Sequence, residues 1–339
     1  MPKTIKHILV IRLSAMGDVA MTVPVLRAFI EQNPDIKITV LTREFFIPIF
    51  RDLAGVSVFT ADLKNTHKGI LGLYKLSKAI KKLNIDAVAD LHNVLRSQIL
   101  KRFLKGSKWA QINKGRIEKK ALISGKTFSQ LKSTHQRYAD VFEALGFKIN
   151  LSNPSFPSPH SFNESIESLI GNSEEKRIGI APFAAHEGKM YPLVLMEQVI
   201  ETLSTSHHVI LFGGGKTEQL ALDVFEEKFE NVTNVTGKLS FEEELDVIGN
   251  LSLMISMDSG NAHLAAMHGV NTLTIWGVTH PFAGFYPFNQ DVTNGLLANR
   301  DLYQKIPTSV YGKTYPEGYQ NAIKTITPEQ IINKVNKLL

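Results

Sequence analysis

Asp258, Ser259, Gly260 and His263 stand close together in the segment 256–268, SMDSGNAHLAAMH, directly after the apolar run 251–255. The run reads as a buried parallel strand, the Asp-Ser-Gly as a turn, and 261–268 as a helix. The first N–H groups of such a helix have no intrahelical partner and lie at the positive end of its dipole, so its start attracts anions. A carboxylate, a hydroxyl, a glycine and an imidazole thus meet at the end of a strand, where open α/β sheets bind ligands. The chemistry open to such a turn is phosphate binding.

Two further strand-to-helix turns carry reactive residue types. The first is Arg12-Leu13-Ser14-Ala15-Met16-Gly17-Asp18. Asp18 has two readings. It serves as a helix-start residue satisfying orphan N–H groups, or as a carboxylate at a strand end that takes a proton from a hydroxyl. A helix N-terminus stabilises a carboxylate, which works against the second role. The second turn is 181–192, APFAAHEGKMYP. Small residues there, Ala184 and Ala185 among them, allow close backbone approach. Lys189 is either a surface lysine or the cation that neutralises a departing phosphate. His186 reads as a surface histidine.

A third turn, Gly213-Gly214-Gly215-Lys216, also joins a strand to a helix, with Glu218 two residues further on. Its glycines offer flexibility, or room for a ribose or phosphate. There is no G-x-G-x-x-G and no Walker lysine, which disfavours dinucleotide and P-loop chemistry. The histidines lack zinc spacing, and Asp246 and Asp258 are isolated, so no metal site is expected.

Positioning these turns requires alternating strands and helices. Strands are expected at 8–11, 36–41, 56–59 and 87–91, with helices at 19–32 and 71–83; Pro24 implies a late start or a kink in the former. Residues 113–135 are polar and poorly patterned, and read as a loop or mobile flap. Prolines 154, 157 and 159 mark a crossing segment at 150–160. The alternation then restarts, with strands at 177–181, 208–212, 232–235, 253–257 and 272–276. Helices are expected at 193–203, 218–229, 241–250 and 328–339, the last capped by Thr327. The pattern predicts an α/β protein of two Rossmann-like, doubly wound domains, 1–155 and 156–339, the C-terminal helix packing back on the first.

The 339 residues are 43% hydrophobic and 21% charged, enough for two cores, and lack cysteine. With no signal-peptide pattern and no apolar run of membrane-spanning length, a cytoplasmic protein is expected. Charge is uneven: residues 91–139 hold twelve Lys/Arg, Arg96 among them, against Glu118 alone, whereas the rest of the chain carries −5. This stretch is either a solvated face or a site for an anionic membrane surface or glycolipid. Few aromatics interleave with the cations, so nucleic acid is not expected as a partner.

In this order, the turns resemble glycosyltransferase family 9, the lipopolysaccharide heptosyltransferases. The resemblance is strongest at 8–27 (ILVIRLSAMGDVAMTVPVLR) and 256–281 (SMDSGNAHLAAMHGVNTLTIWGVTHP). It implies a GT-B architecture with an active site between two domains, an acceptor bound by the N-terminal one and a nucleotide-sugar by the C-terminal one. It implies inversion at the anomeric carbon without a metal or other cofactor. Carried over, Asp18 is the general base, Lys189 approaches the donor phosphates, and Asp258, Ser259, Gly260 and His263 cradle the pyrophosphate.

Further donor contacts are expected from Ala184, Ala185, Gly213, Gly214, Lys216 and Glu218, and acceptor contacts from Ser14, Met16, Gly17 and Arg96. Two departures leave the donor open, with ADP-heptose favoured. Ala184 and Ala185 replace threonines of the ADP-heptose enzymes, and Lys216 stands where their ribose-binding acid is spaced. The acceptor expected is an anionic lipid-linked saccharide such as the lipopolysaccharide core, met by peripheral contact with the inner membrane face. Alternatives are a nucleotide-sugar 2-epimerase of the same fold, a non-catalytic nucleotide-sugar or glycan-binding protein, and, disfavoured by the missing glycine fingerprint, an oxidoreductase.

Overall fold

A computed structural model describes residues 4–171 and 176–339. The chain divides into two compact units, one running through Lys114 and including Thr134–Ser155, the other made of Gly115–Ser133 and Phe156–Leu339. Each is built on its own parallel sheet with its own apolar core.

In the first unit the strands are β1 (His7–Ile11), β2 (Lys37–Thr42), β3 (Val56–Thr60), β4 (Ala87–Asp90) and β5 (Lys108–Gln111), in the spatial order β3-β2-β1-β4-β5. β1 pairs in parallel with β2 and with β4. After β1 the chain winds toward one edge of the sheet, and after β4 toward the other. The loops leaving these neighbours therefore diverge and open a crevice at their carboxyl ends. β1 and β4 are wholly buried, which is why they read as continuous apolar runs.

The helix expected over 19–32 is two helices, Met16–Ala20 and Thr22–Gln32, meeting at Met21. Pro24 is the third residue of the second helix, where its missing N–H costs no intrahelical bond. In this unit the sequence did not make evident β5, the 3-10 helix Glu44–Phe50 or the helices Leu95–Phe103 and Thr134–Leu145.

The second unit contains β6 (Arg177–Ala181), β7 (His208–Leu211), β8 (Val232–Asn234), β9 (Leu253–Met257), β10 (Thr272–Trp276) and β11 (Gly295–Leu297), ordered β11-β10-β9-β6-β7-β8. Here β6 and β9 are the diverging neighbours, paired in parallel from Ile178–Leu253 to Ala181–Ser256. Their following loops carry Lys189 and Asp258.

The segment expected to be a loop or flap contains a helix, Arg116–Ile123, and belongs to the second unit. Leu131 donates its N–H to Phe282 O at 3.0 Å. The Phe128 ring lies 5.0 Å from His280 and 4.8 Å from Phe282, with the Arg300 guanidinium 3.5 Å from its centroid. These contacts join residues distant in sequence, so no local pattern announces them.

The C-terminal helix, Pro328–Leu338, is capped by Thr327, whose hydroxyl accepts from Gln330 N–H while the Gln330 side chain accepts from Thr327 N–H. Its buried Ile331 and Val335 join the second unit's core, and it lies against the helix Leu193–Ser204.

Candidate active site

In the second unit the two reactive turns converge because their strands are neighbours. Lys189 Nζ lies 2.9 Å from Asp258 Oδ2, both side chains being mostly buried, at 14% and 9% exposure. Thr279 donates its hydroxyl to the same oxygen at 2.9 Å. The lysine turn is stitched to the sheet at several points. Tyr191 N–H donates to Met257 Sδ, and its hydroxyl donates to Ile326 O at 2.7 Å. Val278 N–H donates to Gly188 O at 3.1 Å. Burial pushes the Tyr191 phenol up to about 12, so it stays a hydrogen-bond donor.

Gly312, at φ +74°, closes over the lysine stem. A Cβ there would stand 2.5 Å from Lys189 Cγ and 2.8 Å from Cδ. Only glycine fits both that backbone conformation and that approach. Neither Gly312 nor the hydroxyl bond of Thr279 was foreseen as part of the site. The signal available for Thr279 was its place in the Trp276-Gly277-Val278-Thr279-His280-Pro281 run.

The helix after the Asp258 turn runs Gly260–Met267, with Ser259 as its cap residue. The Ser259 hydroxyl does not cap it but shares a 3.0 Å hydrogen bond with Ser256 Oγ. The helix start therefore presents backbone N–H groups at the strand end, beside Lys189 and Asp258. Ser259 and Gly260 are half-buried and His263 is buried. In the lysine turn Ala184 packs against the core and Ala185 is exposed.

At the glycine turn it is Glu218, not Lys216, that turns onto the loop, its Oε2 accepting from Gly214 N–H at 2.6 Å. A Cβ at Gly213 would meet that carboxylate at 3.2 Å. Lys216 is exposed and reaches along its own helix to Gln219 Oε1 at 3.3 Å. One turn of helix thus restores an acid to the loop where the linear spacing had put a lysine. Among the described residues no three His, Asp or Glu side chains gather in a way that could hold a metal ion.

In the first unit, Asp18 follows β1 and is 30% exposed, its Oδ2 held 2.5 Å from the buried Arg12 guanidinium. Arg12 also donates to Leu91 O at 2.7 Å, tying the β1 and β4 loops together. The Tyr138 hydroxyl donates to Asp18 O at 3.2 Å. His92, from the β4 loop, accepts the Leu13 N–H at its Nδ1 at 3.4 Å. Burial, followed by the charges of Arg12 and Lys114, holds the imidazole down to about 3, so it is neutral. Arg12 and His92 were not foreseen as functional. Ser14, Met16 and Gly17 are half-buried in the same turn, and Arg96 is exposed at the start of the helix after β4.

The basic stretch 91–139 belongs to both units. It is divided between the units at Lys114 and Thr134. Some of its cations are engaged internally: Lys119 is buried with its Nζ 3.9 Å from the Phe285 ring centroid, and Arg137 is buried and donates to Asn113 O.

Two Rossmann-like units in one chain, each with polar chemistry at the carboxyl ends of its diverging strands, make up the GT-B architecture. The chain belongs to glycosyltransferase family 9: the family model described as "Glycosyltransferase family 9 (heptosyltransferase)" matches residues 73–314. It is similar to lipooligosaccharide heptosyltransferase 2 of Campylobacter jejuni, at 25% identity over 332 residues covering 96% of this chain and 95% of that one. A solved glycosyl transferase family 9 structure from Veillonella parvula superposes with a TM-score of 0.77 at 20% identity, covering 100% of this chain and 98% of that one. E. coli heptosyltransferase WaaC with ADP-2-deoxy-2-fluoro heptose does so with a TM-score of 0.69 at 18% identity, covering 98% and 100%. The chain is therefore a glycosyltransferase, and the non-catalytic binding-protein and oxidoreductase readings fall away.

Proposed function

We propose that this enzyme transfers a heptose-like sugar from a nucleoside diphosphate donor, ADP-heptose in first place, to an anionic lipid-linked saccharide of the lipopolysaccharide-core type. The relatives named for lipooligosaccharide and lipopolysaccharide heptosyl transfer support the substrate class. The observation that carries the donor assignment is the Lys189–Asp258 pair, 2.9 Å apart beside an uncapped helix start. In the proposed reaction the donor diphosphate lies on the Gly260–Met267 helix start, and Lys189 takes up charge as the bond from anomeric carbon to phosphate oxygen breaks. A lysine and backbone N–H groups fill the part that a divalent ion plays elsewhere.

Asp18 takes the proton of the acceptor hydroxyl, whose oxygen forms the new bond to the anomeric carbon through an oxocarbenium-like state. Arg12 orients the carboxylate. Ser14, Met16, Gly17 and Arg96 are the proposed acceptor contacts. Asp258 is committed to Lys189 and Thr279, which makes it a poor nucleophile and supports direct, inverting displacement. Glu218 at the glycine turn suits a ribose diol. No helix among the described residues is long and apolar enough to cross a membrane, and we place the enzyme peripherally at the cytoplasmic face.

A thermal-shift series with ADP-, GDP-, UDP- and CDP-sugars tests the donor. ADP-heptose at about a hundred times its Kd stabilises the fold by about 2.7 kcal/mol, with the others weaker. Equal shifts across the bases would overturn the choice of ADP. Product analysis with donor alone separates transfer from 2-epimerisation, which needs no second substrate.

A further inference from the structure

Helix Gly69–Lys81 follows β3 and helix Leu95–Phe103 follows β4, so both start at the carboxyl ends of the first sheet's strands, the end that carries Asp18. They lie against each other through Tyr74 and Phe103, whose rings are 5.5 Å apart. Leu73, Leu76 and Ile80 bury one side of the first helix. Its opposite side leaves large apolar groups in solvent over its first two turns: Ile70 is 64% exposed, Leu71 79% and Tyr74 43%. Leu95, at the start of the second helix, is 77% exposed. Isolated exposed apolar residues need no explanation, but these fall together at one end of a helix layer.

The surrounding charge has a single sign. Residues 63–108 contain eleven Lys/Arg against Asp86 and Asp90. Both acids are turned onto the sheet: Asp86 accepts the Lys6 and His7 N–H groups, and Asp90 is fully buried and accepts from His92, Asn93 and Gln111. Lys68, Lys75 and Lys78 are exposed around the apolar end.

We propose that this two-helix face docks on an anionic lipid bilayer, seating Ile70 and Leu71 among the headgroups at the carboxyl end of the sheet that bears Asp18, with the lysines on the lipid phosphates. The inference extends the reading of a lipid-linked acceptor by naming the surface that meets the membrane. Nucleic acid fits less well because the rings are occupied: Tyr74 meets Phe103 edge-on with Lys78 Nζ 4.7 Å from its centroid, and Trp109 lies beneath Lys101. A protein partner fits less well because lysine is depleted from such interfaces.

The test is co-sedimentation of the full chain, without donor or acceptor, with phosphatidylcholine vesicles with and without about a third phosphatidylglycerol. It can therefore fail while transfer stands, and the reverse. Wild type is expected to sediment with the anionic vesicles only, and less as salt rises. The pair Ile70→Glu, Leu71→Glu, and separately the pair Lys75→Glu, Lys78→Glu, are expected to lower partitioning at least roughly tenfold with unchanged thermal melting. Val224→Glu, at an exposed apolar site on the second unit, is expected to change nothing. Equal binding to neutral vesicles, wild-type binding by both folded double variants, or binding to a single-stranded oligonucleotide but not to vesicles would overturn the proposal.

Discussion

Removing Lys189 leaves a mostly buried carboxylate without its cation, so two effects of Lys189→Met separate. Loss of one member of a buried pair costs about 3–5 kcal/mol of stability, read by urea unfolding. The combined variant with Asp258→Asn regains most of that. Transfer falls about 10²–10³-fold in kcat in both variants, because the cation for the leaving diphosphate is absent from each. A double variant with wild-type turnover would remove Lys189 from the chemistry.

His280 supplies a pH test at the same scale. Burial, then the charge of Arg300, holds it down to about 4, against 6.5 for a free imidazole. The unfolded chain takes up a proton that the native chain refuses, so stability is complete above pH 6.5 and falls as the pH drops toward 4, by about 3 kcal/mol. His280→Gln is expected to flatten that part of the unfolding profile; an unchanged slope would refute the assignment. Asp18, Lys189 and Asp258 were legible because each follows an apolar run and precedes a helix. Arg12, His92 and Gly312 were not, because their partners come from other loops and only folding brings them together.

At the scale of the element, the strands buried on both faces were readable as unbroken apolar runs, and their turns followed. β5, Lys-Trp-Ala-Gln at the sheet edge, has no such run, since an edge strand needs less apolar surface. The helix Arg116–Ile123 was hidden by its charge and by the exposed Ile117, whereas Lys119 and Leu122 are its buried residues. Two substitutions probe elements that hold the site without touching substrate. Gly312→Ala forces a Cβ into the Lys189 stem at a positive φ, and is expected to weaken donor binding as well as lower Tm. Thr327→Ala removes a helix cap and is expected to cost about 1 kcal/mol with donor affinity unchanged. If Gly312→Ala behaved like Thr327→Ala, the glycine would be merely structural.

For the whole molecule, the two sheets and the proline-rich crossing were readable from the alternation of strands and helices. The assignment of 115–133 to the second unit was not, because it depends on Phe128, Leu131 and Lys119 meeting residues beyond position 279. That division also breaks up the basic stretch that looked continuous in the linear chain. The strand order puts one candidate chemical group on each unit: a carboxylate after β1, and a lysine–aspartate pair between β6 and β9. In the proposed reaction these groups divide the work, the second unit holding the donor and the first activating the acceptor. The most direct test is Asp18→Asn, assayed for both ADP-heptose affinity by titration calorimetry and transfer to a lipopolysaccharide-core acceptor. Donor affinity close to wild type with transfer abolished is the expected result, and transfer at the wild-type rate would contradict it.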